Sequence, residues 1–269
     1  MPGRSSNGRV VRCLTIATSD SGGGAGIQAD LKAFARAGCH GMSALVALTA
    51  QNTVGVTAIH ELPPEFVVAQ LEAVFDDLGV DAAKTGMLFS RRLIETVADY
   101  LEAHRVPLVV DPVMVASSGS RLLEEDAVET LIRRLLPLAT VVTPNLAEAQ
   151  VLAGTLQQTV KSELAERIRD RGVAAVIVTG GHGDPFDHLF DGVEHVEIEV
   201  PRYDVAATHG AGCTHSATVA AELAKGSSLK EAAYLAAAAA GEAVRSGLAE
   251  LGAGEGPVDV FNLRGVPAL

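Results

Sequence analysis

The sequence predicts an α/β fold in which a central, mostly parallel sheet is flanked by helices on both faces. Short apolar runs alternate with segments of helical periodicity, which is the pattern of repeated βαβ units. The apolar content is 48%, yet aromatic residues make up only 4% of the chain, so the core must consist mostly of Ala, Val, Leu and Ile. Such a core suits parallel strands that are covered by helices.

The length of 269 residues allows one large core, and the sequence contains neither an internal repeat nor a linker. We therefore expect a short polar tail over residues 1–9 and a single domain over residues 10–269.

The first part of the chain predicts strand, glycine loop and helix in that order. An apolar run at 10–17 predicts a strand, and a glycine loop at 19–26 separates it from a predicted helix at 27–37. Two apolar runs, 42–48 and 54–59, then predict two strands joined by a polar turn.

The rest of the chain continues the alternation. One helix begins at Pro64, whose missing N–H costs nothing in the first turn, and another contains Leu93, Val97 and Leu101 at helical spacing. Further strand-like runs lie at 82–85, 108–110, 140–142 and 174–178. Two Ala-rich helices are predicted at 213–225 and 229–246, where the Ala run 236–240 is typical of close helix packing.

Charge and cysteine content exclude several classes of function. The formal net charge is −12 and Lys and Arg do not cluster, which argues against a nucleic-acid partner. A phosphate-bearing ligand stays possible, because backbone N–H groups and a divalent cation can hold phosphate. Three scattered cysteines, a short polar opening and no run of membrane-spanning length predict a cytoplasmic protein without a membrane partner.

Polar motifs follow most of the predicted strands directly. In an open parallel sheet, ligands bind beyond the carboxyl ends of the strands, so these motifs should line one edge. They are Asp20 with its glycines, Gln51, Lys84 to Met87, Asp111, Asn145, and Thr179 to His182.

Two glycine clusters differ in what they indicate. The cluster at 22–26 lacks the G-x-G-x-x-G spacing and a Walker Lys, so a tight turn remains an alternative there. The Gly210-Ala211-Gly212 segment opens a helix, where backbone N–H groups can converge on an anion. Cys213 follows at the helix start, which predicts a lowered pKa for its thiol and a role as proton acceptor. A buried structural cysteine is the alternative, and it is the interpretation we prefer for Cys13 and Cys39.

Three acidic or amide side chains are candidates for a metal site. Asp111 ends an apolar strand, where a buried acid needs a partner. Asn145 and Glu148 are three residues apart at a helix start, a spacing that fits a capping box and a Mg²⁺ site equally well.

The ordered motifs resemble those of the hydroxymethylpyrimidine/phosphomethylpyrimidine kinases, the thiamin-pathway branch of the ribokinase-like fold. The resemblance runs from about Leu14 to Pro257. It rests on the segments 14–17, 19–32, 50–53, 84–87, 111–114, 143–149, 180–182 and 208–214. The chain departs from the family pattern at Thr18, where Gly is usual, and at Ser117, where many members carry Lys. We expect Ser117→Lys to lower the KM for ATP.

The resemblance implies an activity and a role for each site residue. The activity is ATP-dependent phosphorylation of 4-amino-5-hydroxymethyl-2-methylpyrimidine, of its monophosphate, or of both, with Mg²⁺ and in a homodimer. Cys213 would be the catalytic base. The anion hole would be formed by Gly210, Ala211 and Gly212. The pyrimidine would be contacted by Asp30, Gln51, Met87 and Val113. Mg²⁺ would be held by Asp111 and Glu148, and ATP by Asn145, Thr179 and Gly181.

Two other functions stay open. A pyridoxal or pyridoxine kinase acts on a similar flat ring with a hydroxymethyl group, although Gln51 and Met87 favour the pyrimidine. A non-catalytic pyrimidine-binding regulatory protein is the second alternative. The set Asp111, Glu148 and Cys213 speaks against it, since a protein without turnover would not need all three.

Overall fold

All nine strands of the described residues belong to one sheet, in the order β3-β2-β1-β4-β5-β6-β7-β8-β9. The computed structural model describes residues 8–114, 123, 125–155, 157, 159–181 and 185–265. The strands are β1 Arg12–Asp20, β2 His40–Gln51, β3 Val56–Glu61, β4 Ala82–Thr85, β5 Leu108–Val110, β6 Val141–Val142, β7 Val176–Val178, β8 Phe186–Phe190 and β9 His195–Glu199.

The α-helices connect and cover these strands. They are α1 Gly26–Arg36, α2 Pro64–Ala73, α3 Arg91–Ala103, α4 Glu125–Thr130, α5 Leu146–Ala153, α6 Lys161–Arg169, α7 Ala211–Lys225 and α8 Leu229–Arg245. Turns of π-helix continue α2 and α4, and short 3₁₀ turns lie at Leu136–Leu138 and Leu263–Gly265.

The six central strands are parallel, from β2 through β7, whereas β3, β8 and β9 pair antiparallel at the two edges. The predicted α/β class with a mostly parallel sheet is therefore confirmed. The predicted strands at 82–85 and 108–110 coincide with β4 and β5. The strands β8 and β9 were not predicted, because β8 buries Asp187 and His188 in its centre and reads as a loop in the sequence.

Alternate residues of the central strands enter two separate cores. Leu14 and Val110 pack on the face covered by α2 to α6, while their neighbours Cys13 and Val109 pack on the face covered by α1, α7 and α8. Ala236 and Ala237 of α8 are buried in this second core, so the close packing predicted for the Ala run is confirmed. Both faces of the sheet are thus covered, and its carboxyl edge is left for a ligand.

Cys39 and Cys13 are both buried in the second core, as the sequence interpretation of structural cysteines predicts. Among the described residues, no helix is long and apolar enough to cross a membrane. Ser117 and His182 lie outside the described residues.

Candidate active site

A cavity of about 630 Å³ opens at the carboxyl edge of the parallel strands. Its wall comes from the loops after β1, β2, β4, β5, β6 and β7 and from the start of α7. All the predicted site residues except Asp30 line it: Gln51, Met87, Asp111, Val113, Asn145, Glu148, Thr179, Gly181, Gly210, Ala211, Gly212 and Cys213.

The start of α7 forms a cradle of backbone N–H groups. Gly210 is the N-cap with φ of 88°, and a Cβ there would overlap the carbonyl oxygen of Gly24, so only glycine fits. The N–H of Ala211 is used within the turn, since it donates to the Thr208 carbonyl at 3.0 Å. The N–H groups of Gly212 and Cys213 belong to the first turn and have no acceptor among the described residues. These two groups can therefore bind an anion.

Cys213 lies at the cavity wall, with its sulfur beside the Gly26 N–H and near Lys84. Burial raises the pKa of its thiol to about 12, although the Lys84 ammonium acts in the opposite direction. The sequence expectation of a lowered thiol pKa is therefore wrong for the ligand-free protein. The desolvation of the sulfur outweighs the helix end, and this depth of burial is not visible in the sequence.

Asn145 and Glu148 form the capping box that was one of the two open interpretations. Glu148 N–H donates to Asn145 Oδ1 and Asn145 N–H donates to Glu148 Oε2, both at 3.0 Å. Glu148 is nonetheless buried beside Asp111. Burial first, and the Asp111 charge second, raise the pKa of Glu148 to about 8. A cap alone does not require a second carboxylate in the same place.

Burial and the Asp111 charge raise the proton affinity of Glu148, and a divalent cation beside the two carboxyl groups would offset both. Mg²⁺ takes one or two carboxylates and completes its shell with water and phosphate oxygens, and Asp111 with Glu148 fits this donor set. The described residues contain no group of three or more His, Cys, Asp or Glu side chains that could hold a metal.

The wall of the cavity that contains Gln51 and Met87 is ordered by hydroxyl groups. Thr49 Oγ1 lies 3.0 Å from the Ser19 carbonyl oxygen and 3.1 Å from the Gln51 side-chain amide, so the hydroxyl positions that amide at the cavity wall. Thr18 Oγ1 donates to the Met87 carbonyl oxygen at 3.1 Å. The Thr at position 18 thus fastens the Met87 segment to β1, a contact that glycine could not make.

Gly180 and Thr179 are held firmly on the opposite side. Thr179 N–H donates to the Pro144 carbonyl at 2.9 Å, and Gly180 N–H donates to Asp187 Oδ1 at 2.7 Å. Asp187 Oδ2 lies 3.0 Å from His215 Nε2 on α7. The loop after β7 is therefore tied to the helix that carries the cradle.

The family model for phosphomethylpyrimidine kinases matches residues 20–259. The chain belongs to the phosphomethylpyrimidine kinase family. A hydroxymethylpyrimidine/phosphomethylpyrimidine kinase of Rhizobium meliloti is 49% identical over 256 residues, which cover 93% of this chain and 96% of that protein. The expected family and the expected class of enzyme, a phosphotransferase, are confirmed.

Solved structures of related kinases have the same fold. A Bacillus subtilis pyridoxal kinase in complex with ADP superposes with a TM-score of 0.87 at 38% identity, covering 95% of this chain and 99% of that one. A phosphomethylpyrimidine kinase of Clostridium difficile gives a TM-score of 0.75 at 39% identity, covering 85% and 96%. The predicted ribokinase-like architecture is confirmed by the first of these similarities.

Asp30 is the one predicted site residue of this family member that the structure places elsewhere. Its side chain is fully buried, and Oδ1 accepts from Lys84 Nζ at 2.7 Å while Oδ2 accepts from Thr15 Oγ1 at 2.6 Å. Both oxygens are engaged beneath the cavity wall. We therefore correct the expectation of a direct substrate contact.

Sequence reasoning also missed pairs of side chains that hold the site together. Asp20 accepts from the N–H groups of Gly22, Gly24 and Ala25 at 2.8 to 3.0 Å and lies 3.1 Å from His209 Nε2. The glycine loop is thereby fixed against the cradle. For Lys84 a signal did exist, because a lone lysine inside an apolar strand needs acidic partners.

Proposed function

We propose that this kinase transfers the terminal phosphoryl group of ATP to 4-amino-5-hydroxymethyl-2-methylpyrimidine, to its monophosphate, or to both, in thiamin biosynthesis. The observation that carries the proposal is one continuous cavity with an amide cradle on one wall and the Gln51–Met87 surface on another. The acceptor hydroxyl and the transferred group can meet there. Proximity of this kind is the main requirement of phosphoryl transfer.

The acceptor ring is assigned to the wall with Gln51, Met87 and Val113. The Gln51 side-chain amide, which Thr49 positions at the wall, can hydrogen-bond to a ring nitrogen or to the amino group of the pyrimidine. Met87 adds a flat, polarisable surface for an aromatic ring. The nucleotide is assigned to the wall with Asn145, Thr179 and Gly181, where a Cβ at Gly181 would meet no atom within 4 Å.

Negative charge on the transferring group is stabilised by fixed donors. The N–H groups of Gly212 and Cys213 at the start of α7, with Gly210 as N-cap and Ala211 beside them, supply oriented dipoles that need no rearrangement. Asp111 and Glu148 would hold Mg²⁺, which neutralises charge on the β- and γ-phosphate oxygens when it is bound. These groups carry most of the catalysis, because phosphoryl transfer requires little covalent chemistry from the protein.

Cys213 is proposed as the base that accepts the proton of the acceptor hydroxyl. The acceptor O–H bond breaks as its proton passes to the Cys213 thiolate, and the acceptor oxygen forms a new bond to the γ-phosphorus. The bond between that phosphorus and the bridging oxygen breaks, and ADP leaves with the electron pair of this P–O bond. Burial keeps Cys213 as a thiol in the ligand-free protein, so the loaded site must stabilise its thiolate. Cys213→Ala should lower kcat about 10²- to 10⁴-fold while ATP still binds. Unchanged turnover in a folded variant would remove the sulfur from the mechanism.

The direct test of the function is product analysis by mass spectrometry. Purified protein, ATP and Mg²⁺ are incubated first with hydroxymethylpyrimidine and then with its monophosphate. We expect the monophosphate in the first reaction, and the second shows whether the diphosphate is also made. Absence of any phosphorylated pyrimidine would refute the proposal.

Pyridoxal is a second candidate substrate, favoured by the close superposition with the Bacillus subtilis pyridoxal kinase over 99% of that chain. Its ring and hydroxymethyl group would occupy the same wall. The two compounds should be compared by kcat/KM in one preparation. A higher kcat/KM for pyridoxal would reverse the assignment of the main substrate.

Assembly and location complete the proposal. We propose a homodimer in the cytoplasm, on the grounds of the family resemblance and of three cysteines that form no disulfide framework. Light scattering should give twice the 27.8 kDa of one chain. A monomeric mass at working concentration would contradict this part.

A further inference from the structure

Lys84 lies at the centre of a buried charge cluster that the proposed mechanism does not yet use. It belongs to β4, in register with Thr15 on β1 and Val109 on β5, and its side chain is fully buried. Its ammonium is 2.7 Å from Asp30 Oδ1 and 3.5 Å from Asp111 Oδ2. A buried lysine is stable only with such partners.

Lys84 is held as a cation. Burial alone would lower the pKa of its ammonium, but the neighbouring carboxylates of Asp30 and Asp111 raise it. Its Nζ therefore donates to carboxylates and accepts nothing. Because Lys84 is paired with two carboxylates, its ammonium does not bind a phosphate directly.

Asp111 is oriented by the same cluster. Its Oδ2 faces Lys84 and also accepts from Ser216 Oγ at 2.7 Å, whereas Oδ1 has no side-chain partner among the described residues. One oxygen is thus turned inward and the other remains for the cavity. The side chain of Asp111 lines the cavity, while that of Asp30 does not.

Resting on the proposed function, we propose that Lys84 is a positioning residue of the phosphoryl-transfer site, which orients Asp111 toward a divalent cation and is itself fixed by Asp30. Asp30 acts on the site through Lys84 and does not touch the pyrimidine. The distances order the cluster as Thr15, Asp30, Lys84 and Asp111, so that three contacts connect β1 and α1 to the residue after β5.

Asp30→Asn separates this role from direct substrate binding. The amide keeps the shape of the side chain but removes the closer of the two negative charges on Lys84. The positive charge of Lys84 is then no longer partly neutralised by Asp30, so it repels a divalent cation at Asp111 more strongly. A charge at this range acts on a scale of about 10- to 100-fold. We expect the dissociation constant for Mn²⁺ to rise by that factor, while the KM for the pyrimidine changes less than about threefold.

The probe is Mn²⁺ alone, titrated into the ligand-free full chain and followed by electron paramagnetic resonance. Asp81→Asn is the matched control, because it also removes one carboxylate from an ion pair, with Arg12, but next to the opposite end of β4. The control should leave both Mn²⁺ binding and the pyrimidine KM at the parent values. Thr15→Val is the second variant if Asp30→Asn does not fold. It keeps every charge, loosens Asp30, and should weaken Mn²⁺ binding in the same direction.

The outcomes are distinct. A raised pyrimidine KM with unchanged Mn²⁺ binding would show that Asp30 contacts the substrate and would overturn the proposal. Unchanged Mn²⁺ binding in both variants, or no Mn²⁺ binding by the parent, would overturn it too. If the parent binds Mn²⁺ but phosphorylates no pyrimidine, the proposed function fails, and the role of Lys84 is still decided by the Mn²⁺ titrations.

Discussion

The rate of Cys213 alkylation, measured over a range of pH, shows whether burial or the helix N-terminus determines the pKa of its thiol. The structure sets the pKa of the Cys213 thiol at about 12, against about 8.5 for a free cysteine. At pH 8 the thiolate fraction is then on the order of 10⁻⁴, compared with about one quarter for a free thiol. Iodoacetamide reacts with the thiolate, so the rate should rise about tenfold per pH unit from pH 7 to 10 without a plateau.

The slope is the decisive quantity, because restricted access to the cavity lowers every rate equally and leaves the slope unchanged. Peptide mass spectrometry separates Cys213 from the buried Cys13 and Cys39. The urea-denatured chain is the control and should titrate near pH 8.5 at all three positions. A plateau for Cys213 below about pH 8.5 in the folded protein would refute the burial argument and restore the activated thiolate that the helix end alone predicts.

Three further perturbations test the cradle, the carboxylates and the nucleotide loop. Gly212→Ala should raise the unfolding free energy by about 0.5–1 kcal/mol, since its Cβ would meet no described atom within 4 Å. The same Cβ would enter the cradle, so kcat/KM should fall about tenfold. In the matched variant Gly210→Ala, the unfolding free energy from urea denaturation should instead fall by about 2 kcal/mol or more. Full activity of Gly212→Ala would place the transferred group elsewhere. In EDTA, Glu148→Gln should be more stable than the parent by on the order of 4 kcal/mol at pH 8, because folding raises the pKa of the parent carboxyl from 4.5 to about 8 and so opposes its ionisation. That gap should shrink to about 0.4 kcal/mol at pH 4.5, where the folded parent carries the proton and the unfolded parent is half protonated, and an equal gap at pH 5 and 8 would contradict the reasoning. Ser117→Lys should lower the KM for ATP, and an unchanged KM would dismiss a role for that position.

Much of the fold could be predicted because the parallel strands are short, apolar and bounded by polar motifs. Leu108–Val110 and Ala82–Thr85 are fully or almost fully buried, and the sequence shows this for Leu108–Val110 as an uninterrupted apolar run and for Ala82–Thr85 as small residues with one lysine, Lys84. Phe186–Phe190 escaped prediction because Asp187 and His188 are buried inside it. Asp187 is tolerated there since it accepts the Gly180 N–H, a partner that only the folded chain provides.

The positions of the site residues could be predicted from the sequence, but their ionisation states and side-chain orientations could not. Parallel topology brings the residues after each strand to one edge, so Asp111 and Cys213 meet as expected. Which oxygen faces the cavity, and whether a thiol is ionised, depend on depth and on neighbours from other elements. For that reason the lowered pKa of Cys213 was wrong and Asp30 lies beneath the cavity wall, whereas the other predicted residues line the cavity and their roles stay predictions.

The arrangement explains how a chain with a net charge of −12 can receive a polyanionic nucleotide. Lys84 is occupied by Asp30 and Asp111 and offers no cation to phosphate. The described wall offers the phosphates the two N–H groups at the start of α7, Arg202, and any cation that Asp111 and Glu148 hold. In the ligand-free protein Glu148, with a pKa of about 8, is mostly protonated at pH 7, so Asp111 is the acid that opposes a bare nucleotide. On the proposed function, a nucleotide that arrives with its metal would bring positive charge to both carboxyl groups and would favour the ionised form of Glu148.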